Sequence, residues 1–312
     1  MRADLLHVVT CVANPVRWES RIRLARDFIA HMKASGVRLT VVECAYGERP
    51  HELSGIDGIR HVPVRANTMA WSKESLLNIG IRALPWDAKY VAWIDADVVF
   101  RRADWAAETV HALQIVPVVQ TWSEALDLGP RGEIMTVEGQ QVFRCFAQVW
   151  REHPGELCDR GYFRYHHSHC GYAWAARMDA LNAFGLLMDR SGAGAADHQM
   201  AMGMVGRIDG AIHGGCTDSY KAFVRAWGRR AFAVVQGHIG YVPGRIEHFF
   251  HGAKHKRQYL PRWEFLIRHG FDPLTDVHPN RWGVLELSTN KPELRRAVEA
   301  YFHARDEDDN TI

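Results

Sequence analysis

Two aspartates one residue apart, Asp95 and Asp97, are the residues of this chain whose spacing best suits chemistry. They follow the segment 89–94 (KYVAWI), an almost continuous apolar run of the kind typical of a strand buried on both faces of a sheet. Two ionised carboxylates at the end of such a strand repel each other and lose hydration, which costs free energy unless a cation compensates. Because Mg²⁺ and Mn²⁺ prefer oxygen ligands and bind between carboxylates and phosphates, the pair predicts a divalent-metal site. Two aspartates that cap a helix or lie in a solvated loop are the alternative interpretation.

The elements around the pair favour the metal interpretation. Over the first 121 residues, short apolar segments alternate with amphipathic ones; they predict strands at 5–12, 37–45, 59–64, 89–99 and 115–121, and helices at 18–32, 72–84 and 104–113. Strands joined by crossover helices form a parallel sheet with helices on both faces. Ligands of such sheets bind at the carboxyl ends of the strands, where the two aspartates fall. We therefore predict an α/β fold with a mostly parallel, Rossmann-like sheet flanked by helices.

The second half of the chain has weaker periodicity. It predicts helices at 140–153, from 177 onward and at 291–304, and a strand at 166–174, whereas the acidic tail 306–309 is expected to be frayed. No internal repeat or low-complexity linker interrupts the sequence. We therefore predict one domain, in which the second half completes the site that the first half builds.

Composition limits the classes of protein that fit. The 312 residues are 47% hydrophobic and 24% charged, as in an ordinary soluble globular protein, and a net charge of +2 is too small to predict a nucleic-acid partner. No apolar stretch approaches the roughly 20 residues that cross a bilayer, and the start has no signal-peptide layout, so we expect a cytoplasmic protein without a membrane partner. Six cysteines without C-x-x-C spacing argue against a disulfide framework or a zinc ribbon.

Five segments, in this order, resemble the GT-A class of nucleotide-sugar glycosyltransferases. They are Trp71–Gly80 (WSKESLLNIG), Trp93–Asp97 (WIDAD), Gly171–Trp174 (GYAW), Asp197–Met200 (DHQM) and His248–Lys254 (HFFHGAK). The resemblance implies a GT-A-like fold and a metal-dependent enzyme that uses a nucleotide sugar. It also implies a nucleotide-binding part over 1–121, an acceptor- and metal-completing part over 122–275 and a C-terminal helical extension over 276–312.

The resemblance implies roles around the metal. Asp95 would face the donor ribose, or the metal through a water, and Asp97 would bind the metal directly. In such enzymes a late histidine completes the metal site and a lysine contacts the diphosphate; this points to His251, with His248 as second choice, and to Lys254. Imidazole suits Mn²⁺ better than Mg²⁺, although either ion remains open. Two histidines on an aromatic surface are the alternative.

The resemblance also implies a donor pocket. Lys73 could reach a phosphate, with Asn78 on the same predicted helix, although a solvent-facing lysine and a helix-interior asparagine fit the pattern equally well. The ends of the first two strands, where such enzymes hold the base and the ribose, carry Thr10, Asn14 and Glu43.

A third group of residues would act on the acceptor. Asp197 would deprotonate the acceptor hydroxyl as it attacks the sugar, which gives inversion, and His198 is the alternative base. Asp197 also fits a plain helix N-cap. The family more often has Glu-Asp here, whereas this chain has Ala196 before the aspartate. Trp174 would lie under the sugar or belong to the core.

The predicted reaction moves a sugar from a nucleotide donor, with UDP as the first choice, to an acceptor hydroxyl. These motifs on one domain look like the glycosyltransferases of tailed bacteriophages, some of which modify hydroxymethylated bases in DNA inside the infected host. The basic residues of 254–257 and of 225–230 would then contact phosphates, and the target base would flip out of the duplex. A surface polysaccharide or small glycan is the alternative acceptor. A nucleotidyltransferase is a different class; it would need a glycine-rich loop after the first strand, and residues 12–18 contain no glycine.

Overall fold

The structure, a computed structural model, describes residues 2–137, 139–157, 168–257 and 261–311. Its strands are β1 (Leu6–Ala13), β2 (Arg38–Tyr46), β3 (Arg60–Ala66), β4 (Tyr90–Ile94), β5 (Val98–Phe100), β6 (Val118–Gln120), β7 (Glu124–Asp127), β8 (Val142–Arg144), β9 (Ala173–Arg177), β10 (Ile239–Tyr241), β11 (Arg245–His248), β12 (Val277–Pro279) and β13 (Leu285–Leu287). Its helices are α1 (Glu19–Ala34), α2 (Lys73–Arg82), α3 (Trp105–Leu113), α4 (Phe146–Glu152), α5 (Met178–Ala183), α6 (Ala196–Met204), α7 (Asp218–Val235), α8 (Pro261–Arg268) and α9 (Pro292–Ala304).

A seven-stranded sheet forms the centre of the fold. Its strand order is β10-β6-β9-β4-β1-β2-β3, in which β9 runs antiparallel to both of its neighbours and the other pairs are parallel. Helices flank the sheet, and β1, β2 and β4 are almost entirely buried, as their apolar sequences require. The predicted α/β class with a mostly parallel sheet is confirmed, and the division of the chain into parts stays a prediction.

The strand predicted at 89–99 is wrong in one respect, because it breaks at the two aspartates. β4 ends at Ile94, and the chain turns before β5 begins at Val98. β5 belongs to a second sheet with the order β5-β11-β7-β8. The break places Asp95 and Asp97 where the two sheets meet.

Segment 122–153 also differs from the prediction. β7 lies in a stretch that has no clear period, and the helix predicted at 140–153 is instead β8 followed by the shorter α4. The strand predicted at 166–174 begins at Ala173 in the structure, and positions 166 and 167 lie outside the described residues. These strands have three to five residues each and are therefore fixed by pairing across the sheets more than by local pattern.

Helix α2 lies unusually close to the central sheet. A Cβ atom placed on Gly80 would lie 2.5 Å from Val9 Cγ1 and 2.7 Å from Val42 Cγ2, so only glycine permits this approach. The approach holds the start of α2, including Lys73, above the end of β1.

The C-terminal part packs back onto the first half. Phe302 of α9 stacks on Trp71, with 6.4 Å between the ring centroids. The expectation of a frayed tail is wrong, because Glu307 is only 2% exposed. In the described part of the chain, no helix combines the length and the apolar character that a bilayer crossing requires. The five cysteines that the structure describes are free thiols, and Cys158 lies outside the described residues.

Candidate active site and metal centre

A cavity of about 810 Å³ opens where the carboxyl ends of β1 and β4 meet the second sheet. Its walls include the ends of these strands, the start of α2, the start of α6, the segment that follows β11 and residues of the C-terminal segment. Ligand sites of open α/β sheets lie at this edge, and the volume is in the range of small-molecule pockets.

Three side chains in the cavity could hold a metal ion: Asp97, His248 and His251. Their nearest ligand atoms all lie within 4.8 Å of one another. Asp97 Oδ2 is 3.0 Å from His251 Nε2 and 3.7 Å from His248 Nε2. Asp97 Oδ1 is buried without a hydrogen-bond partner among the described residues. A carboxylate with one unsatisfied buried oxygen, facing two imidazoles, fits a divalent cation of the Mn²⁺ type.

The second sheet creates this arrangement through its register. In β11, His248 pairs with Val98 of β5 on one side and with Asp127 of β7 on the other. The backbone N–H of Phe249 donates to the carbonyl oxygen of Asp97 at 2.8 Å. Strand pairing therefore brings together residues that are more than 100 positions apart in the sequence.

Asp127 is a buried carboxylate that fixes His248. Its Oδ1 lies 2.7 Å from His248 Nδ1 and accepts from the Tyr172 hydroxyl at 2.9 Å, while Oδ2 pairs with Lys254. Because Nδ1 is held by Asp127, Nε2 of His248 points toward Asp97. A carboxylate behind a ligating histidine is the arrangement that orients metal ligands in proteins.

The charges of this cluster shift the pKa values of its members. Burial raises the pKa of Asp97, but the charge and hydrogen bonds of His248 and His251 outweigh burial and hold it well below the ordinary value. Burial lowers the pKa of His248, but Asp97 and Asp127 outweigh it and raise the pKa to about 9. The two groups therefore stabilise each other as an ion pair, and a cation would displace the imidazolium proton.

The contacts of His251 indicate which of its nitrogens is free to coordinate. The Arg257 guanidinium lies 3.2 Å from His251 Nε2. The same nitrogen lies 3.0 Å from Asp97 Oδ2, so Nε2 is the nitrogen that faces the other candidate ligands. A cation bound here would be coordinated by the Nε2 lone pair, which would leave the ring proton on Nδ1.

Asp95 is held differently from Asp97. Its Oδ1 lies 2.6 Å from Lys73 Nζ, and the same ammonium is 3.5 Å from Asp197 Oδ2. Burial raises the pKa of Asp95 to about 6; Lys73 opposes this shift, and Asp97 and Asp197 add to it. Lys73 thus links the two carboxylates across the cavity.

The start of α6 carries both predicted bases into the cavity. Ala195 precedes the helix with φ 70°, a left-handed conformation that is strained for a residue with a side chain, and it lines the cavity with Asp197 and His198. Asp197 lies in the first helical turn, and its side chain is 30% exposed. Burial lowers the pKa of His198 to about 4, so its imidazole is neutral at neutral pH.

Five predicted donor-pocket residues do not line the cavity and have other partners. The Thr10 hydroxyl donates to the Ile94 carbonyl at 2.7 Å, and the Asn14 amide bonds the backbone of Trp18. Glu43 accepts from two backbone N–H groups, those of residues 52 and 53, and lies 2.8 Å from His61 Nε2. Asn78 exchanges two hydrogen bonds with the Leu187 backbone, and Trp174 Nε1 donates to the Cys170 carbonyl.

The two basic clusters lie in different places. Lys254 and Arg257 line the cavity, within a short 3-10 helix. Arg225 and Arg230 lie on α7; Arg225 pairs with Asp209 at 2.7 Å, and Arg230 donates to a backbone carbonyl. The second cluster therefore contributes nothing to the wall of this cavity.

The prediction from sequence missed Asp127 and Glu307. Asp127 lies in a stretch without periodicity, and Glu307 lies in an acidic tail. Only two apolar residues, Ala125 and Leu126, directly precede Asp127, so its strand leaves no local signal. Glu307 has no local signal.

Comparisons with known proteins give only distant similarity. No protein-family model matches the chain, and none of the curated proteins matches it. Glucosyl-3-phosphoglycerate synthase from Mycobacterium tuberculosis, solved with Mn²⁺, UDP and glucosyl-3-phosphoglycerate, is 15% identical with a TM-score of 0.42, over 86% of this chain and 78% of that chain. A mannosyltransferase from Pyrobaculum calidifontis, solved with GDP-Man and Mn²⁺, is 15% identical with a TM-score of 0.40. The alignment covers 96% of this chain and 69% of that chain.

The catalytic domain of Drosophila β1,4-galactosyltransferase 7, in complex with xylobiose, is 12% identical with a TM-score of 0.34. The alignment covers 67% of this chain and spans 62% of that chain. The TM-scores of the three similar structures are all below 0.5.

Proposed function

We propose that this chain is a metal-dependent glycosyltransferase that moves a sugar from a nucleoside-diphosphate donor, UDP in the first instance, to an acceptor hydroxyl. The observation that carries the proposal is the meeting of Asp97, His248 and His251 in one cavity with Asp197. When bound, a divalent cation would neutralise charge on the leaving diphosphate. Asp97, His248 and His251 would hold it.

The charge of the cavity wall supports a diphosphate ligand. Among the described residues that line it, seven are lysines or arginines and four are aspartates or glutamates. Lys73 and Lys254 are already paired with carboxylates, so each is positioned before a phosphate arrives. Pre-positioned cations stabilise developing negative charge at no cost of reorganisation.

Asp197 is the proposed general base, and inversion at the sugar is the proposed stereochemistry. It shares Lys73 with Asp95 and lines the same cavity as the metal ligands, so an acceptor hydroxyl bound in this cavity could give up its proton to Asp197 as it attacks. His198 is the second candidate base, since its imidazole is neutral. Asp197→Asn should lower kcat by about 10²–10⁴-fold and leave donor binding intact, whereas Asp97→Asn should abolish metal-dependent donor binding.

Donor binding provides the first test. Thermal-shift measurements would compare UDP-, GDP- and CDP-sugars, each with and without Mn²⁺. A stabilisation that needs both donor and metal, and that Asp97→Asn removes, supports the proposal. Stabilisation by nucleoside triphosphates with release of pyrophosphate would favour the nucleotidyltransferase class instead.

The metal's donor set leaves a second candidate function to be tested. Two histidines and one carboxylate are also the ligand set of non-haem Fe(II) oxygenases. Oxygen consumption with Fe(II), together with a lack of any nucleotide-sugar shift, would support that function. The cationic wall around the ligands favours the transferase.

The proposed acceptor is a 5-hydroxymethylated pyrimidine in phage DNA, which would place the enzyme in the cytoplasm of an infected host. Lys254–Arg257 supports a phosphate contact at the cavity, whereas the cluster on α7 does not. Labelled sugar should enter hydroxymethylated duplex DNA and not the unmodified duplex. Equal transfer to free glycans would favour the surface-polysaccharide or small-glycan alternative.

A further inference from the structure

The C-terminal segment 305–309, which we call the C-terminal strap, is anchored next to the candidate metal centre. Asp308 accepts hydrogen bonds from the backbone N–H groups of Glu19 and Ser20, both at 2.8 Å, and so caps the first turn of α1. Lys256 pairs with Asp306 at 2.7 Å and also with Asp309. The strap is thus fixed to elements on both sides of the cavity.

Glu307 is the buried centre of the strap. It is 2% exposed, and its carboxylate receives Arg21 at 2.5 and 2.7 Å and Arg305 at 2.7 Å. Two arginines compensate a buried carboxylate that would otherwise be strongly unfavourable. Oε2 of this carboxylate also lies 3.6 Å from His251 Nδ1.

This contact falls on the nitrogen of His251 that does not face Asp97. With Nε2 turned toward Asp97, a cation bound there would leave the ring proton on Nδ1, where it would face the Glu307 carboxylate. The separation of 3.6 Å is longer than a hydrogen bond, and the interaction is therefore a charge–dipole contact that a small ring movement would shorten. Carboxylates in this position fix the tautomer and the orientation of ligating histidines.

Gly252 is the second, independent sign that the strap belongs to the site. Its φ is +82°, and a Cβ there would lie 3.0 Å from both the Asp306 carbonyl oxygen and Glu307 Cα. The glycine after His251 therefore lets the strap approach the histidine. A larger residue would push the two apart.

We propose that the C-terminal strap is a component of the metal centre and that Glu307 is the positioning residue for His251. Glu307 holds the ring so that Nε2 points at Asp97 and at the space for a cation. The inference rests on the proposed function, because it takes His251 as a metal ligand.

The test measures Mn²⁺ affinity of the full-length protein by electron paramagnetic resonance, without donor or acceptor. Glu307→Gln should weaken Mn²⁺ binding by about 10–100-fold. Glu293→Gln on α9 is the matched control, since this glutamate pairs with Arg296 at the surface, and it should change the affinity less than about twofold. In a His251→Ala background, Glu307→Gln should have no further effect, because there is then no ring to orient.

Gly252→Ala provides a test that changes no charge and no ligand. It should displace the strap and so weaken Mn²⁺ binding, as Glu307→Gln does. The test remains valid even if Glu307→Gln does not fold. Gly270→Ala is its control, because Gly270 also has positive φ (+55°) but its nearest neighbour atom would be 4.0 Å away. Unchanged affinity in both Glu307→Gln and Gly252→Ala would overturn the inference and leave the proposed function standing. If Asp97→Asn binds Mn²⁺ as tightly as the wild type does, both the inference about the strap and the proposed function are overturned.

Discussion

Replacement of Asp127 by asparagine is the sharpest single test of how the site is held together. The side chain is 2% exposed, and its two oxygens serve His248, Tyr172 and Lys254. Asparagine has the same shape, but its NH₂ group replaces one of the two acceptor oxygens. This N–H donor would then face another donor, either His248 Nδ1 or Lys254 Nζ. The substitution therefore removes a charge-assisted hydrogen bond and leaves a cation without its partner.

The magnitude follows from these contacts. Loss of one partner of a buried ion pair costs about 3–5 kcal/mol, and a hydrogen bond to a charged group contributes about 1.5–3 kcal/mol. The Lys254 side chain is 27% exposed, so water can partly replace the lost carboxylate. We expect Asp127→Asn to lower the free energy of unfolding by about 3 kcal/mol at pH 7. A freed His248 should also weaken Mn²⁺ binding by about 10–100-fold.

Urea unfolding followed by tryptophan fluorescence, without metal, checks the stability, and a Mn²⁺ titration checks the affinity. The pKa of Asp127 is held below its ordinary value of 3.8, because His248 and Lys254 outweigh the effect of burial. Its contribution is therefore fully present above pH 3.8 and is lost as the pH falls, so the two proteins should converge in acid. Asp104→Asn, at a half-exposed ion pair with Arg102, is the control and should have little effect. If Asp127→Asn lowers the free energy of unfolding by less than about 1 kcal/mol and leaves the Mn²⁺ affinity unchanged, Asp127 does not fix His248 and Lys254 as argued.

Three further substitutions test other parts of the structure. Asn78→Ala should cost about 1–3 kcal/mol by leaving the Leu187 backbone groups unpaired, without changing donor affinity. Gly80→Ala should destabilise by about 1–3 kcal/mol despite its better helix propensity, because the new methyl group would overlap Val9. Burial lowers the pKa of His169 from 6.5 to about 3, so the unfolded chain takes up a proton in this range that the folded protein does not. His169→Asn should therefore remove a stability loss of up to about 1.4 kcal/mol per pH unit below pH 6.5.

Each of these three has a clear contrary result. A donor affinity that falls with Asn78→Ala at constant stability would place this amide in donor binding after all. Gly214→Ala, at a glycine with open space around it, is the control for Gly80→Ala, and equal effects would show that close packing of α2 is not the cause. An unchanged slope of stability against pH in His169→Asn would mean that the imidazole titrates normally.

The parallel core could be predicted from sequence because its signals are local. The runs of apolar residues in β1, β2 and β4 are long enough to mark strands, and amphipathic α1 ends at Ala34, two residues before Gly36, whose φ is +70°. The position of Asp95 and Asp97 at the carboxyl end of β4 follows from the same pattern. Helix and strand periodicity thus gives the sheet edge at which the cavity lies.

The second sheet could not be predicted because its information is not local. Its strands β5, β7, β8 and β11 have three or four residues each, too few for a period to show. Asp127 meets His248 through the register of β7 against β11, and Glu307 lies beside His251 in the C-terminal strap, which is anchored on α1. A side chain whose role depends on pairing across 121 positions leaves no mark in its own neighbourhood.

The spacing of the two aspartates predicts one metal site near both, with Asp97 as the direct ligand, and the fold gives the two carboxylates different environments. Asp95 stays with the central sheet, through its N–H bond to the Tyr172 carbonyl, and pairs with Lys73. Asp97 faces His248 and His251, because the next strand has changed sheets. Burial raises the pKa of Asp95 to about 6 against the effect of Lys73, while His248 and His251 outweigh burial and hold the pKa of Asp97 well below its ordinary value. Asp97 thus already faces the two histidines, whereas Asp95 would have to exchange Lys73 for the metal, so its contact with a cation stays a prediction.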